Sequence, residues 1–379
     1  MPERCRLVFL GGLGEVGRNM AVLEVGDDVL ILDAGLSFPT EDMPGVDLVL
    51  PDFDYLRSRA DRIAGVVLTH GHEDHMGALP YMLREMELDV YATPLALALL
   101  RPKLDEHGVS EKARLQEVKP GEEVRVGPFS VRFIRVTHSI PDGVALAVDT
   151  PYGTVLHSGD FRLDPTPIDR QPTDLQAFAA EAEKGVHLFL SDSTNAEDDG
   201  TIPSERTVGP ELLRIFQQAP RLLVAACFAS HIHRIQQICN AAMAVGRKVA
   251  FLGRSMHHAV RSSRELGYLD LPDDAVLDIE EAVELPPEQV CIVCTGSQGE
   301  PLSALSLMAA REHKWVKLED GDLVVIAASL IPGNEVAIHR TIDGLYRTGA
   351  DVFHSGIAHV HVSGHAAGDE LKFMLELIR

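Results

Sequence analysis

The segment LTHGHEDHMGALP, Leu68 to Pro80, constrains this chain more than any other. Within six residues it places His70, His72, Asp74 and His75, directly after the apolar run IAGVVL. A packed core has no use for three imidazoles and a carboxylate so close together, because each would need its own buried partner. The segment follows a buried-strand pattern, with Gly71 allowing a sharp turn and MGALPYMLREM opening a helix. That arrangement aims several ligands at one point, and imidazole with carboxylate is the donor set of zinc or manganese hydrolase sites. Metal binding is therefore the expected role.

One cluster does not complete a two-metal site. His138 in RVTHSIPDG and Asp160 in VLHSGDFRLD each follow an apolar strand pattern. Strand ends are where open α/β sheets collect their chemistry, and both residues are expected ligands.

A chain of 379 residues, 45% hydrophobic and 24% charged, can bury a large core in two domains or in one with an insertion. Strand patterns CRLVFL, MAVLEV and VLILDAG open it, and short strands alternate with helical stretches to about residue 195. Between the first two strands, GGLGEVGRN sets Gly12, Gly14 and Gly17 in the spacing G-x-G-x-x-G. A dinucleotide fingerprint would need a helix next, and a strand follows instead, so these glycines are expected to form a tight strand-to-strand turn. After the loop SDSTNAEDDGTIPSERTVGP a second alternation begins: helical ERTVGPELLRIFQQA, strand RLLVAACF, helical HRIQQICNAAMAVG, then strands KVAFLG, QVCIVCTG and DLVVIAAS. This is the pattern of a parallel sheet with flanking helices, and it puts a boundary near residue 206.

The apolar runs fall short of the roughly 20 residues that span a bilayer, and the N-terminus carries no signal-peptide pattern. A cytosolic protein with no membrane role is expected. Five scattered cysteines argue against a disulfide framework. Cys291 and Cys294 form a lone C-x-x-C inside a buried-strand pattern and read as structural thiols. The formal charge of −23 disfavours tight non-specific binding to duplex DNA, whose phosphates are met by Lys and Arg. A local basic groove or bound divalent cations can still receive substrate phosphates on an acidic protein.

Asp33, THGHEDH, His138 and HSGD together resemble the metallo-β-lactamase fold, which implies an αββα sandwich with a two-metal centre at one sheet edge. LSDSTNAE with Asp192, then CFASHIHRIQQI, GRSM, CTGSQGEP, IPGNE and HVSGHA, resemble the β-CASP nuclease branch and, within it, the bacterial ribonuclease J family. The resemblance runs over nearly the whole chain. It implies a metallo-β-lactamase domain over residues 1–205, an inserted α/β parallel-sheet β-CASP domain over 206–362, and the start of a return to the first domain over 363–379.

The resemblance also implies a function: hydrolysis of phosphodiester bonds in single-stranded RNA. The expected mode is 5′-to-3′ exonucleolytic with a preference for 5′-monophosphate ends, with endonucleolytic cutting as a second mode, in rRNA processing and mRNA decay. Two divalent ions, zinc or manganese, are implied. His70, His72 and His138 would hold one, Asp74 and His75 the other, and Asp160 would bridge them. Asp192 would orient His365 of HVSGHA as the general acid for the departing 3′-oxygen.

CTGSQGEP and HVSGHA suit phosphate because small residues let backbone N–H groups approach oxygens. Ser297, Gly299, Ser363 and Gly364 are the expected contacts, with Arg254 and Ser230 as further candidates and Phe38 as a stacking platform for a base. His231 and His233 read as substrate-groove or structural residues rather than a third metal site. Members of the family carry one more metal-binding histidine beyond the SGHA segment, so 379 residues are expected to be a fragment, lacking also the C-terminal domain that helps the family oligomerise. Homodimers or tetramers of the full-length protein and an RNA helicase partner are implied. Two other classes stay open: a small-molecule lactam or thioester metallohydrolase, whose chains lack the Asp192-to-His365 insertion, and a non-catalytic RNA-binding member, against which every ligand position within the chain is competently filled.

Overall fold

Period-two alternation builds the first sheet. Along β2 (Met20–Val25) and β3 (Asp28–Leu32), Val22, Val29 and Ile31 join one apolar cluster while Leu23, Leu30 and Leu32 join another. Successive strand side chains point to opposite faces, so burial of both sets means that the sheet is covered on both sides. The computed structural model describes residues 4–39, 43–329 and 333–379.

The first sheet runs in chain order from β1 (Cys5–Gly11) through β2, β3, β4 (Ile63–Val67) and β5 (Leu88–Ala92) to β6 (Ala113–Glu117). Its first three strands pair antiparallel and the rest parallel. A second sheet has the order β11 (Val186–Leu190), β10 (Gly153–His157), β9 (Val144–Thr150), β8 (Phe129–Arg135), β7 (Glu123–Val126). Leu30, Leu32 and Val67 of one sheet pack with Phe133, Leu146 and Val148 of the other. The outer face of the first sheet is covered by the helix Pro94–Glu106 through Leu97, Leu100 and Leu104. Phe178 of the helix Leu175–Lys184 and Met374 of the helix Gly368–Ile378 share a further cluster with Ala145, Ala147 and Leu156 of the second sheet. The result is the αββα sandwich. Each fully buried Leu or Phe contributes roughly 1.5–3 kcal/mol, and three such apolar interfaces support the polar loops at the strand ends.

Gly12, Gly14 and Gly17 lie in the β1–β2 turn with φ of 80°, 73° and 92°. The strands they join are antiparallel neighbours, so the turn reading holds and these glycines do not open a strand-to-helix dinucleotide turn.

The chain divides into two compact units: one comprises 1–165, 171–202 and 364–379, the other 166–170 and 203–363. The second unit is built on a six-stranded parallel sheet, ordered β14 (Val276–Leu277), β13 (Lys248–Leu252), β15 (Val290–Cys294), β12 (Leu223–Ala226), β16 (Leu323–Ile326), β17 (Asp351–His354). Cys291 and Cys294 are fully buried free thiols on β15, and burial pushes the Cys291 thiol up to about 12. Both are structural. Among the described residues no helix is long and apolar enough to cross a membrane. Of the IPGNE segment, Ile331 and Pro332 lie outside the described residues.

Candidate active site

The HGHEDH segment begins where β4 ends. Leu68 N–H donates to Tyr91 O and Val144 N–H to Thr69 O, so backbone pairing persists up to the first histidine. Gly71 keeps an ordinary backbone, and its value is space: a Cβ there would stand 3.2 Å from Ala96 Cα and 3.0 Å from Leu99 Cδ1. The chain does bend at Gly71, as expected from sequence, without a left-handed backbone. His72 is extended, with φ −82° and ψ 154°, and a one-turn helix, Glu73–Met76, follows at once. Asp74 and His75 therefore project from a helix that starts earlier than the sequence pattern suggests.

Five imidazoles and two carboxylates converge in the first unit. His72 Nδ1 lies 3.0 Å from His70 Nε2 and 3.2 Å from His138 Nε2. Asp160 Oδ2 is 3.2 Å from His75 Nε2, 3.8 Å from His138 Nε2 and 3.9 Å from His70 Nε2. Asp74 Oδ2 stands 3.6 Å from His75 Nε2. Three donor triads lie within 4.8 Å: His70, His72 and His138; His70, His75 and Asp160; His138, Asp160 and His365.

Around these donors a layer of hydrogen bonds fixes the rings. Asp33, fully buried in a left-handed backbone (φ 59°), accepts from Thr69 N–H at 2.7 Å, from the Thr69 hydroxyl at 2.9 Å and from His75 Nδ1 at 2.8 Å. His138 Nδ1 donates to Gly364 O at 2.8 Å. A Cβ on Gly364 would stand 2.8 Å from His138 Cε1, so the glycine makes room for that ring. Asn19 Nδ2 lies 3.3 Å from Asp74 Oδ2 and 3.0 Å from His75 Nε2. His365 Nδ1 donates to Asp192 Oδ2 at 2.9 Å and lies 3.9 Å from Asp160. Asp192 Oδ1 also accepts from the backbone and hydroxyl of Thr194, at 2.9 and 2.8 Å.

Sequence reasoning missed Asn19, Thr69 and Thr194, and gave Asp33 no role of its own. Only Asp33 carried a signal, as a carboxylate closing the strand pattern VLILDAG.

Burial holds His70 and His72 well below the usual imidazole range and pushes His138 down to about 4, leaving neutral rings with free lone pairs. Burial alone would raise Asp160, but His75 and His365 beside it keep it well below the usual carboxylate range. Burial likewise opposes the charge on His75, yet Asp160, Asp74 and Asp33 together raise it well above the ordinary value. For His365, burial is outweighed by Asp160 and the hydrogen-bonded Asp192, and it rises to about 9.

The donor set fits divalent cations. Ligand atoms of a tetrahedral site with bonds of about 2.1 Å stand about 3.4 Å apart. The observed separations, from 3.0 to 3.9 Å, bracket that spacing. Nδ1 of His75 and of His138 is engaged by an oxygen, which turns Nε2 toward the cluster, the usual outer support of a metal-binding imidazole.

The other candidates are spread over both units. Phe38, in the first, is 63% exposed and so open to stacking. In the second, Ser297 is buried, and Gly299 N–H is already bonded to Gly296 O. A Cβ on Gly299 would stand 2.5 Å from Ala337 C, so close packing accounts for that glycine. Ser363 is half-buried, the Ser230 backbone carbonyl accepts from Ile232 N–H, and Arg254 is exposed at the start of the helix Arg254–Glu265. His231 and His233 are both buried, with carboxylates of Glu205 and Asp169 at 3.7 and 3.5 Å.

Residues 13–190 match the metallo-β-lactamase superfamily, and residues 220–345 match the β-CASP domain of ribonuclease J. The chain is 49% identical over 379 residues to ribonuclease J of Synechocystis sp., covering all of this chain and 59% of that protein. It is 45% identical to ribonuclease J of Mycolicibacterium smegmatis, covering all of this chain and 68% of that one. A solved structure of a protein of unknown function from Enterococcus faecalis V583 aligns with a TM-score of 0.67 at 16% identity, over 99% of this chain and 92% of that one, and shares the fold.

Proposed function

The chain belongs to the ribonuclease J family, and from that premise we propose that it is a metal-dependent ribonuclease hydrolysing phosphodiester bonds of single-stranded RNA. It works from the 5′ end toward the 3′ end, favours 5′-monophosphate ends and also cuts internally. In this reading His70, His72 and His138 would hold one divalent ion, Asp74 and His75 the second, with Asp160 shared between them. Zinc or manganese suits these ligands; when bound, such ions would supply an activated water and offset charge on the phosphodiester.

The chain's own residues account for the rest. Asp192 accepts only through its carboxylate, so it fixes the proton of His365 on Nδ1 and leaves Nε2–H to protonate the departing 3′-oxygen. Asp160 and the hydrogen-bonded Asp192 both favour the charged, acid form of His365. The observation that carries the reading is the His365–Asp192 pair within 3.9 Å of Asp160, a group that protonates a poor leaving group beside a metal-ligand cluster. Small neutral residues of CTGSQGEP and HVSGHA, with Arg254, Ser230 and Phe38, are the proposed RNA contacts. A cytoplasmic homodimer or tetramer with an RNA helicase partner is the corresponding assembly, by analogy with the family.

The test is a time course on the full-length protein with 3′-labelled single-stranded RNA bearing a 5′-monophosphate or a 5′-hydroxyl. Progressive shortening from the 5′-monophosphate end, abolished in His72→Ala, is the expected result. RNA left intact with both zinc and manganese would overturn it.

A further inference from the structure

Glu370 sits in the first turn of the helix Gly368–Ile378 and is only 3% exposed. A carboxylate there ordinarily faces water and interacts weakly with the helix dipole. A buried one must be fully hydrogen-bonded to be tolerated. Its partners are three backbone N–H groups: Leu163 on Oε1 at 3.0 Å, Ile202 on Oε2 at 3.0 Å and Ala367 on Oε2 at 2.9 Å.

Those three groups belong to three different segments. Leu163 is three residues beyond Asp160, Ala367 is two beyond His365, and Ile202 closes the stretch that begins at Asp192. Backbone bonds lace the same segments together: Ala366 N–H to Phe161 O at 2.7 Å on one edge, Gly368 N–H to Asp198 O and Asp369 N–H to Gly200 O on the other. Asn195 Nδ2 adds a bond to His365 O at 3.1 Å. The Glu370 side chain reaches both edges at once.

We infer that Glu370 is a positioning residue, which clamps the segment bearing His365 between the loops of Asp160 and Asp192 and so holds the imidazole in its acid geometry. The inference rests on the general-acid reading of His365 above. Charge-assisted bonds from a carboxylate to backbone N–H are the strong kind. Glu370→Gln keeps the size, but its amide presents one oxygen and an NH2 group that meets backbone donors head-on. Glu370→Asp keeps the charge and is one methylene too short to reach all three groups.

The test compares two substrates on the full-length, metal-loaded protein. RNA expels an alkoxide and needs an acid, whereas bis(4-nitrophenyl) phosphate expels a phenolate that leaves without one. A mispositioned acid lowers kcat on RNA roughly tenfold to a hundredfold. The aryl phosphodiester rate and the metal content should stay at the parent's values in both variants. Unchanged RNA turnover overturns the inference. So do parallel loss of both rates, loss of metal, or failure of both variants to fold, each of which leaves Glu370 as an anchor of the helix. A different result separates the underlying reading: a parent that cleaves the aryl ester but not RNA, or a His365→Ala variant that slows both substrates equally, removes the general acid itself.

Discussion

Asp33 receives His75 Nδ1 at 2.8 Å from a left-handed backbone position at which both carboxylate oxygens are already engaged by Thr69. The carboxylate fixes the ring's tautomer and orientation without being one of the proposed ligands. Asp33→Asn should therefore weaken metal binding about 10–100-fold while preserving the fold. Competition with a chromophoric chelator measures this, and unchanged affinity would reduce Asp33 to a strand terminator.

His365→Ala should separate turnover from metal content. Loss of a positioned acid costs roughly 10²–10⁴ in rate, and the other four imidazoles of the donor cluster stay in place. Elemental analysis alongside single-turnover RNA cleavage decides the matter. Equal loss of metal and rate would make His365 a ligand, a role its 3.9 Å approach to Asp160 permits.

Gly35→Ala probes how tightly the turn bearing Asp74 and His75 is seated. A Cβ at Gly35 would stand 1.6 Å from Asp74 O, and Ala34 N–H and Leu36 N–H bond to His75 O and Glu73 O on either side. The backbone of the site must then move. A destabilisation of about 1–3 kcal/mol or more and a lowered metal content are expected, read by urea denaturation and elemental analysis. Full metal content at parental stability would show that this turn yields freely.

Arg132 forks between Asp149 and Glu181, with four N···O distances of 2.7 Å. The guanidinium holds Asp149 below the usual carboxylate range; for Glu181, burial pulls upward and the ion pair overrides it. Lowered folded-state values mean stability that is present above the ordinary carboxylate pKa and lost as pH falls through the lowered values. Arg132→Met should thus be less stable than the parent at neutral pH, with the gap closing in the acid range. Denaturation midpoints across that range test it, and a constant gap would assign the effect to packing alone. Asp149 is half exposed, so Glu181 should carry most of the effect.

The local chemistry was legible in the sequence. HGHEDH announced a metal donor set because four such side chains in six residues have no apolar use, and period-two strands announced covered sheets because their alternation is set by backbone geometry alone. The glycine-rich turn was legible for the same reason, since a strand cannot follow where a helix is required.

What only the tertiary structure decided is convergence. His365 reaches Asp192 across 173 positions, Gly364 frames His138 across 226, and Asn19 meets Asp74 across 55. No spacing rule encodes those distances, because they are set by how two sheets stack and where loops return. Glu370 makes the point most plainly. In sequence it is an ordinary acidic residue in a helix's first turn, and only packing against three separate backbone segments turns its carboxylate inward.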